Sequence, residues 1–299
     1  MPKIGIVISN YNGWQDTLKC LDSLKEQTFQ DFEVVLLDDA STNDSVQQLA
    51  PHLAENVVFL PQKTNCGFAA ANNIGIRRAL EDGARWVLLL NNDTVCAPDM
   101  LARLMQDTPE GAVSCPKMLF LAQPDEIWFA GGTLDRSTGK VEHLGGHCKD
   151  GPEFSQKKQV NFITFCCVLL PRQVIEQVGL LDEELFMYCE DVDYCMRLGD
   201  AGVPMWYLPD AKLWHKAGGT AGGMLSVYYI TRNTLYLKCR GRSESYRRFQ
   251  AAKAVARGAV SCFAAALLGH KKGRSYGYYC GAKDFAKKRT GRIDSRYLA

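Results

Sequence analysis

The first 115 residues alternate short apolar runs with segments of helical periodicity. Short apolar runs between turn-forming residues predict buried strands, and five occur: Ile4–Ile8, Phe32–Leu37, Val57–Leu60, Trp86–Leu90 and one that begins with Val113–Cys115. Helices are predicted from the spacing of Trp14, Leu18, Leu21 and Leu24, over Phe68–Leu80, and from Pro98 to about Met105. Repeated strand–helix units predict an α/β fold with a doubly wound, mostly parallel sheet.

Polar side chains follow three of these strands at the point where each strand ends. They are Ser9-Asn10-Tyr11, Asp38-Asp39 and Asn91-Asn92-Asp93. Ligands of doubly wound sheets bind at the carboxyl ends of the strands, so we expect these residues to share one crevice. No G-x-G-x-x-G follows the first strand, which argues against a dinucleotide-binding domain.

After residue 115 the pattern changes. Between about residues 116 and 170, glycines separate short polar segments, which predicts an antiparallel insertion beside the crevice. The remaining predicted elements are an apolar strand at Val160–Leu170, a helix near Pro171–Val178, a helix that ends at about Ala201, strands near Val203–Tyr207 and Ala211–Trp214, and a final helical region.

The composition is that of an ordinary globular protein, with 46% hydrophobic and 23% charged residues in 299. The charge is distributed unevenly. Residues 1–237 contain 19 Lys/Arg and 30 Asp/Glu, a balance of −11, whereas residues 238–299 contain 16 Lys/Arg and three acids, a balance of +13. A basic end on an acidic body indicates an anionic partner. We expect a membrane surface rather than nucleic acid, because no nucleic-acid-reading motif accompanies the charge.

The basic end contains the longest apolar stretch, Gly258 to Gly269, which is too short to span a bilayer. Its basic flanks predict an interfacial amphipathic segment or, equally, a helix packed on the rest of the protein. The twelve cysteines include no C-x-x-C pair, which favours reduced buried thiols over a zinc site or a disulfide framework. No secretory signal is recognisable, so we expect a cytoplasmic protein that is peripheral at the inner face of the membrane.

Two adjacent carboxylates, Glu190 and Asp191, come just before a helical pattern, and His215 closes a strand some two dozen residues later. Carboxylates, a histidine and polar strand ends supply a base candidate and ligands for a divalent cation. These groups suit the transfer of a group from a phosphorylated donor to a hydroxyl, with the cation holding the phosphates.

Seven collinear segments between about residues 4 and 237 resemble the inverting glycosyltransferases of family 2, which have the GT-A fold. Among them, the chain is most similar to the bacterial rhamnosyltransferase-like members. The segments are Ile6–Asn12, Asp38–Asp44, Asn65–Asn73, Leu90–Thr94, Cys189–Asp193, Trp214-His215 and Tyr228–Asn233.

The resemblance implies a pyrimidine nucleoside diphosphate sugar as donor, either dTDP-rhamnose or a UDP-sugar, and a hydroxyl of a glycan or lipid-linked acceptor. It implies that Asp191 is the base and that Glu190 helps to orient the site. Asp93 and His215 would bind Mn²⁺ or Mg²⁺, with Asn91 in place of the first acid of the metal motif. The nucleotide would contact Ser9, Tyr11, Asp38, Asp39, Asn65, Gly67, Asn72, Asn73, Asn92 and Arg232.

Several of these residues also have a purely structural interpretation. One of the Asp38–Asp39 pair would cap the next helix, Glu190 and Asp191 are acids of a type enriched in a first helical turn, and Arg232 would form an ion pair with the acidic body. We expect Asp193 to be a helix cap or a surface charge. The glycine-rich loop 218–223 is either a lid over the donor or simply mobile.

On this interpretation residues 1–237 form a GT-A domain, with a nucleotide-binding half (1–115) and an acceptor and catalytic half (116–237), and residues 238–299 form a basic helical appendage. Two other functions are possible in principle. A sugar-phosphate nucleotidyltransferase has a similar sheet, but it would carry a basic glycine-rich loop after the first strand, and Ser9–Trp14 contains no lysine or arginine. A degenerate nucleotide-sugar-binding subunit is favoured only by Asn91.

Overall fold

The computed structural model describes residues 4–218, 222–268 and 273–298. Its strands are β1 (Ile4–Asn10), β2 (Phe32–Asp38), β3 (Val57–Pro61), β4 (Trp86–Leu90), β5 (Thr94–Cys96), β6 (Val113–Phe120), β7 (Ile127–Phe129), β8 (Gly132–Asp135), β9 (Lys140–His143), β10 (Lys158–Val160), β11 (Cys167–Pro171) and β12 (Met205–His215). Its α-helices are α1 (Trp14–Lys25), α2 (Ser45–Leu49), α3 (Gly67–Glu81), α4 (Met100–Asp107), α5 (Arg172–Val178), α6 (Glu190–Asp200), α7 (Met224–Cys239), α8 (Glu244–Leu267) and α9 (Arg274–Ala286).

The first half of the chain forms the predicted parallel sheet. β1 lies between β2 and β4 and pairs with both in parallel, and β2 continues in parallel to β3. The apolar runs of β1, β2 and β4 are almost completely buried, as expected for central strands covered on both faces. In the β1–β2 register Asn10 lies opposite Asp38, so the polar residues after these strands meet at one edge. The predicted mixed α/β fold with a parallel-dominant sheet is confirmed.

The second half extends the same sheet, in the order β10-β12-β6-β11-β4-β1-β2-β3. The single strand predicted at Val160–Leu170 is wrong, because this segment divides into the edge strand β10, an irregular stretch at 161–166, and the central strand β11. β11 is antiparallel to both β4 and β6. The two strands predicted at Val203–Tyr207 and Ala211–Trp214 are one strand, β12, whose register shifts between Leu208 and Lys212.

The predicted insertion contains a two-stranded antiparallel sheet, β8–β9, and the short strand β7, which pairs with β6. Gly132 lies where a Cβ would come within 2.6 Å of the Phe162 ring, so the hairpin packs closely on the irregular stretch 161–166. The insertion therefore covers the edge of the sheet where β6 and β12 end.

The last three helices pack together against the loop that precedes α6. Gly281 of α9 lies against α7, where a Cβ would come within 2.4 Å of the Tyr228 carbonyl oxygen. Gly258 of α8 permits a similarly close approach to Tyr279 of α9. No helix within the described ranges is long and apolar enough to cross a membrane. Part of the glycine-rich loop 218–223, and the basic residues after the apolar stretch of α8, lie outside the described residues.

Candidate active site

Asp93 and His215 are brought together by the pairing of β5 with β12. His215 lies opposite Thr94 in this antiparallel ladder, and the Lys216 amide donates to the Asp93 carbonyl oxygen. The Nε2 atom of His215 is 3.2 Å from Oδ1 of Asp93. Two ligands at right angles on Mg²⁺ or Mn²⁺, each about 2.1 Å from the ion, would be about 3.0 Å apart. The two donor atoms therefore fit one divalent cation that retains open positions for phosphate oxygens.

The imidazole of His215 is buried between an aromatic ring and a sulfur atom. Its ring centroid is 4.4 Å from that of Trp128, with the planes at 77°. Burial lowers the pKa of His215, but the Cys166 sulfur and the Asp93 carboxylate outweigh this effect and raise the pKa. The Nδ1 atom has no hydrogen-bond partner among the described residues. The ring is thus held by packing, with Nε2 directed at Asp93.

Glu190 and Asp191 form the first turn of α6. Burial, followed by the charge of Asp191, raises the pKa of Glu190. Asp191 is half-buried, and burial also raises its pKa, against hydrogen bonds from the Val192 and Phe165 amides and the Thr164 side chain. The Oε2 atom of Glu190 is buried without a hydrogen-bond partner in the part of the chain described. A buried pair with raised pKa is suited to taking up a proton.

The irregular stretch 161–166 connects the carboxylate pair to the cation ligands. The Thr164 side chain interacts with the Asp191 carboxyl, and the Cys166 sulfur interacts with the His215 ring. Positions two apart in a chain are separated by at most about 7 Å. The Asp191 carboxyl and the Asp93–His215 pair therefore lie near one another, and we refer to the space between them as the cleft. This arrangement is what a base and a cation site acting on one substrate require.

The loop before α6 has an unusual backbone. Phe186, Tyr188 and Cys189 all have positive φ angles, which cost about 1–3 kcal/mol each for residues of this kind. The side-chain amide of Asn233, which is 1% exposed, donates to the carbonyls of Leu185, Met187 and Tyr188 at 2.9, 2.9 and 2.7 Å. Asn233 of α7 therefore stabilises the loop conformation that positions Glu190 and Asp191.

Arg232 stabilises the same loop. Its guanidinium is buried, donates to the carbonyl oxygens of Glu184, Leu185 and Gly291, and lies over the rings of Tyr228 and Tyr229. With these partners it stands behind the loop and not in the cleft. This differs from the position expected of a residue that contacts the diphosphate, and we leave it out of the donor site proposed below.

Asp193 is neither a helix cap nor a surface charge, so that prediction is wrong. It is completely buried and forms ion pairs with Arg197 of α6 and with Arg240, which follows α7. The sequence places three acids together in one turn. The structure neutralises Asp193 with two arginines, whereas no lysine or arginine of the described residues forms an ion pair with Glu190 or Asp191.

Asp38 and Asp39 both bond to the chain itself. The Asp38 carboxyl is completely buried and accepts from the Asn10 side chain and from the amide and hydroxyl of Ser41. The Asp39 carboxyl, 3% exposed, accepts from the amides of Cys66 and Gly67. Asp38 thus holds the ends of β1 and β2 together, and Asp39 connects the end of β2 to the start of α3 by hydrogen bonds.

The segment from Asn65 to Asn73 is also engaged internally. Gly67 has φ +85°, and a Cβ there would come within 2.5 Å of the Phe186 carbonyl oxygen, so its close approach is to the loop before α6. The side chains of the three asparagines have partners within the chain: Asn65 donates to the Asp39 carbonyl, Asn72 to the Phe68 carbonyl, and Asn73 to the Leu181 carbonyl and Glu183. This segment joins the two halves of the site.

The remaining predicted residues lie at the open edge of the sheet. Ser9 is half-buried at the end of β1, and Tyr11 is 46% exposed beside it. The Asn92 amide donates to Asn10 and Thr17, which fixes the turn before Asp93. Three residues near the cleft carried no signal that we recognised in the sequence, namely Thr164, Cys166 and Trp128, and a fourth, Asn233, lies in a matching segment but was given no role. Each acts through a contact between distant parts of the chain.

A cavity of about 360 Å³ lies elsewhere, between α7, α8 and the end of α9. Its walls include Arg240, Arg247 and Arg289, which form ion pairs with acidic side chains. The geometry of the reacting groups, rather than cavity size, identifies the site.

Comparison with known proteins agrees with this geometry. The model of the family described as "Glycosyl transferase family 2" matches residues 5–179. The N-acetylglucosaminyl-diphospho-decaprenol L-rhamnosyltransferase of Mycobacterium tuberculosis is 28% identical over 270 residues, which cover 81% of this chain and 86% of that protein. The dTDP-rhamnosyl transferase RfbF of Shigella flexneri is 26% identical over 245 residues, which cover 77% and 78%.

Solved structures show the same fold at low identity. The GalNAc-T7 crystal structure with UDP, GalNAc and Mn²⁺ superposes with a TM-score of 0.61 at 16% identity, covering 86% of this chain and 51% of that one. The mannosyltransferase PcManGT of Pyrobaculum calidifontis, in complex with GDP-Man and Mn²⁺, gives a TM-score of 0.56 at 16% identity, covering 96% and 86%.

Proposed function

Because the chain belongs to glycosyl transferase family 2, and is therefore a glycosyltransferase, we propose that it transfers a sugar with inversion from a pyrimidine nucleoside diphosphate sugar to a hydroxyl group. The observation that carries this proposal is the proximity of the Asp191 carboxyl to the Asp93–His215 pair, which Thr164 and Cys166 connect. The rhamnosyltransferases among its relatives favour dTDP-rhamnose as the donor sugar, with a UDP-sugar as the alternative.

Asp191 acts as the general base. The acceptor hydroxyl attacks the anomeric carbon from the side opposite the leaving diphosphate, and its proton passes to an Asp191 carboxyl oxygen as the new bond forms. Thr164 and the Val192 amide orient this carboxyl. Glu190, with the more strongly raised pKa, remains protonated beside it and adds no second negative charge to the site.

Asp93 and His215 would hold Mn²⁺ or Mg²⁺. When bound, such an ion neutralises diphosphate oxygens and makes the nucleotide a better leaving group. The donor lies along the strand ends, where Ser9, Tyr11, Asp39 and Asn92 are the residues that we propose near the nucleotide. The start of α3 is held in place by four residues that do not contact the nucleotide in this proposal: Asn65, Gly67, Asn72 and Asn73.

A donor panel tests this function. We expect dTDP-rhamnose or a UDP-sugar to raise the melting temperature in the presence of Mn²⁺, because a ligand that binds the native state stabilises it. The same donor should be slowly hydrolysed to nucleoside diphosphate, and chelation with EDTA or the variant Asp93→Asn should abolish both effects. Stabilisation and hydrolysis that persist in EDTA would contradict the cation site. Binding without any turnover, with or without acceptors, would favour the binding-subunit alternative.

The Mycobacterium tuberculosis relative is named for an acceptor on a diphospho-decaprenol lipid, and we propose a glycan or lipid-linked acceptor for this chain. Helix α8 supports a membrane surface as partner. On one face Val260, Phe263 and Leu267 follow one another at spacings of three and four residues, with Phe249 about three turns before them, and all four are strongly exposed: Phe249 62%, Val260 70%, Phe263 69% and Leu267 74%. The opposite face, which packs on α9, buries only the small residues Ala251, Ala254 and Gly258.

This inverted distribution, in a region with a balance of +13, suits a helix lying on an anionic bilayer from the cytosolic side. Cosedimentation with phosphatidylglycerol vesicles tests it. Phe263→Glu with Leu267→Glu should abolish vesicle binding, whereas Ile230→Glu, at an exposed apolar residue of α7, should not. Equal binding of wild type and the α8 variant would contradict the membrane role. A change from dimer to monomer in the α8 variant, without vesicles, would assign the face to a second copy of the chain.

A further inference from the structure

Trp128 stands beside the proposed cation site and has no assigned role. It is the middle residue of β7, and its neighbours Ile127 and Phe129 are both 0% exposed. Because successive strand residues point to opposite faces, Trp128 points away from the core that these neighbours fill. Its half-buried ring meets His215 edge to face, at 4.4 Å between centroids. The indole therefore forms part of the cleft wall next to the cation ligands.

His143 extends this wall. Its ring centroid is 5.2 Å from that of Trp128, with the planes at 80°, and it stacks on Phe162 at 6.0 Å. The imidazole is hydrogen-bonded to the Trp128 backbone, and one side of the residue is open to solvent. In the neutral ring, the nitrogen that is not donating is an acceptor. Trp128 and His143 thus combine an apolar surface with one directed hydrogen-bond acceptor.

The position of this pair relative to the base follows from the stretch 161–166. Phe162 packs under His143, Thr164 contacts Asp191 and Cys166 contacts His215. Alternate residues of one short segment therefore join the aromatic wall, the base and the cation site. A ligand that presents a hydroxyl to Asp191 has this wall within reach.

We propose that Trp128 and His143 form the acceptor subsite and that they bind a pyranose ring, with the indole against the apolar C–H face of the sugar and the free imidazole nitrogen accepting from a ring hydroxyl. This inference rests on the proposed glycosyl transfer and specifies the acceptor as a sugar. Aromatic surfaces with few polar groups are typical of pockets that fix a ligand's orientation. The subsite places the attacking hydroxyl, and Asp191 removes its proton.

The test uses methyl glycosides of N-acetylglucosamine, galactose, mannose and rhamnose as acceptors, with the donor that the panel above identifies. Trp128→Ala should raise the acceptor KM about tenfold or more, equivalent to about 1.4 kcal/mol of binding, and Trp128→Phe should recover part of the loss. Because Trp128 also packs on His215, donor hydrolysis without acceptor is measured in parallel, and the rise in acceptor KM should exceed any loss of hydrolysis in both variants. Trp206→Ala removes an equally half-buried tryptophan near Lys157, far along β12 from His215, and should change neither quantity.

The outcomes separate this inference from the function on which it rests. If the wild type hydrolyses no nucleotide sugar, the glycosyl-transfer site itself is refuted. If the wild type hydrolyses the donor but no glycoside is used or suppresses hydrolysis, the subsite does not take a sugar ring. An unchanged acceptor KM in Trp128→Ala, or a rise in acceptor KM no larger than the accompanying loss of donor hydrolysis, also overturns the assignment.

Discussion

Two pairs of neighbouring carboxylates stand at the ends of elements in this fold, and their surroundings differ. Asp38 and Asp39 follow β2, are almost completely buried, and accept hydrogen bonds from Asn10, Ser41 and the start of α3. Glu190 and Asp191 begin α6, and one buried oxygen of Glu190 has no partner among the described residues. The first pair is satisfied by the chain, whereas the second pair is satisfied only in part.

The difference separates structural acids from reacting ones. A buried carboxylate with a full set of donors stabilises the native state, and an incompletely partnered one costs free energy. The cost at Glu190 and Asp191 persists because Asn233 and Arg232 hold the preceding loop in place. Adjacent acids at a chain turn thus have two different uses in one protein.

Removing the base should give the largest effect. Asp191→Asn deletes the proton acceptor and should lower the kcat of transfer by about 10²–10⁴-fold. The melting temperature should stay the same or rise, because a buried charge is lost. Initial rates and thermal unfolding of the same preparation measure both quantities. Activity within a few-fold of wild type would show that another group takes the proton.

Asp38→Ala should give the reverse result. It removes the acceptor of three hydrogen bonds and should lower the free energy of unfolding by about 3 kcal/mol, with little change in kcat for the folded fraction. Denaturant titration measures the loss. Asp44→Ala provides the control, because this exposed carboxyl also accepts from two side chains, Trp14 and Gln48, but should cost about 1 kcal/mol or less. Equal losses would mean that burial of Asp38 is not what matters.

The features that could be predicted from the sequence are those determined by neighbouring residues in the chain. Apolar runs predicted β1, β2 and β4 well, because buried parallel strands have a strong local signature, and the strand-end rule brought Asp38 and Asp93 to one edge. The division of the segment Val160–Leu170 was not predictable in this way. Some of its apolar residues pack against the insertion and others belong to the central sheet, and composition alone does not distinguish these two groups of residues.

The sequence also did not reveal which side chains pair with one another in the folded protein. Asp193 and Glu190 belong to the same acidic turn, but Asp193 is neutralised by Arg197 of the same helix and by Arg240, which approaches from the end of α7. Arg232 was expected at the diphosphate because of its position in a matching segment. The structure shows it bonded to Glu184, Leu185 and Gly291, a set of carbonyls that spans more than one hundred residues of chain.

The loop that positions the base should be sensitive to Asn233. Asn233→Ala removes one donor to the carbonyls of Leu185, Met187 and Tyr188, of which Leu185 keeps Arg232, and we expect kcat to fall about tenfold because the left-handed residues before α6 relax. Donor stabilisation of the melting temperature should remain. Asn233→Asp, which keeps the shape but not the donor, should behave like the alanine variant. Loss of stability with unchanged kcat would show a structural role alone.

The pH dependence should reveal the raised pKa of the pair. Transfer needs Asp191 deprotonated, and burial raises its pKa, so kcat should rise with pH through a midpoint above the usual value of about 3.9 for aspartate. Stability should change in the opposite direction. The native state binds more protons here than the unfolded chain does, so this contribution is full at low pH and is lost as pH rises through the raised pKa.

The groups that face the pair do not cancel this effect. Arg197 and Arg240 neutralise Asp193, and burial raises the pKa of the neighbouring thiols Cys189 and Cys195, which keeps them uncharged. In Asp191→Asn the fall in unfolding free energy across this pH range should become shallower. Rate profiles and denaturant titrations at matched pH values measure both trends, and a midpoint of transfer at or below the ordinary aspartate value would contradict the first.

The smallest effect should come from Glu190→Gln, and it decides which acid is the base. Burial and the charge of Asp191 raise the pKa of Glu190 more than that of its neighbour, so the proton that the pair retains resides on Glu190 near neutral pH. Glutamine resembles that protonated form in shape and charge. We therefore expect kcat within a few-fold of wild type at neutral pH and the same rise of activity with pH. If Glu190→Gln instead loses as much activity as Asp191→Asn, Glu190 takes the proton and Asp191 is the group that orients it.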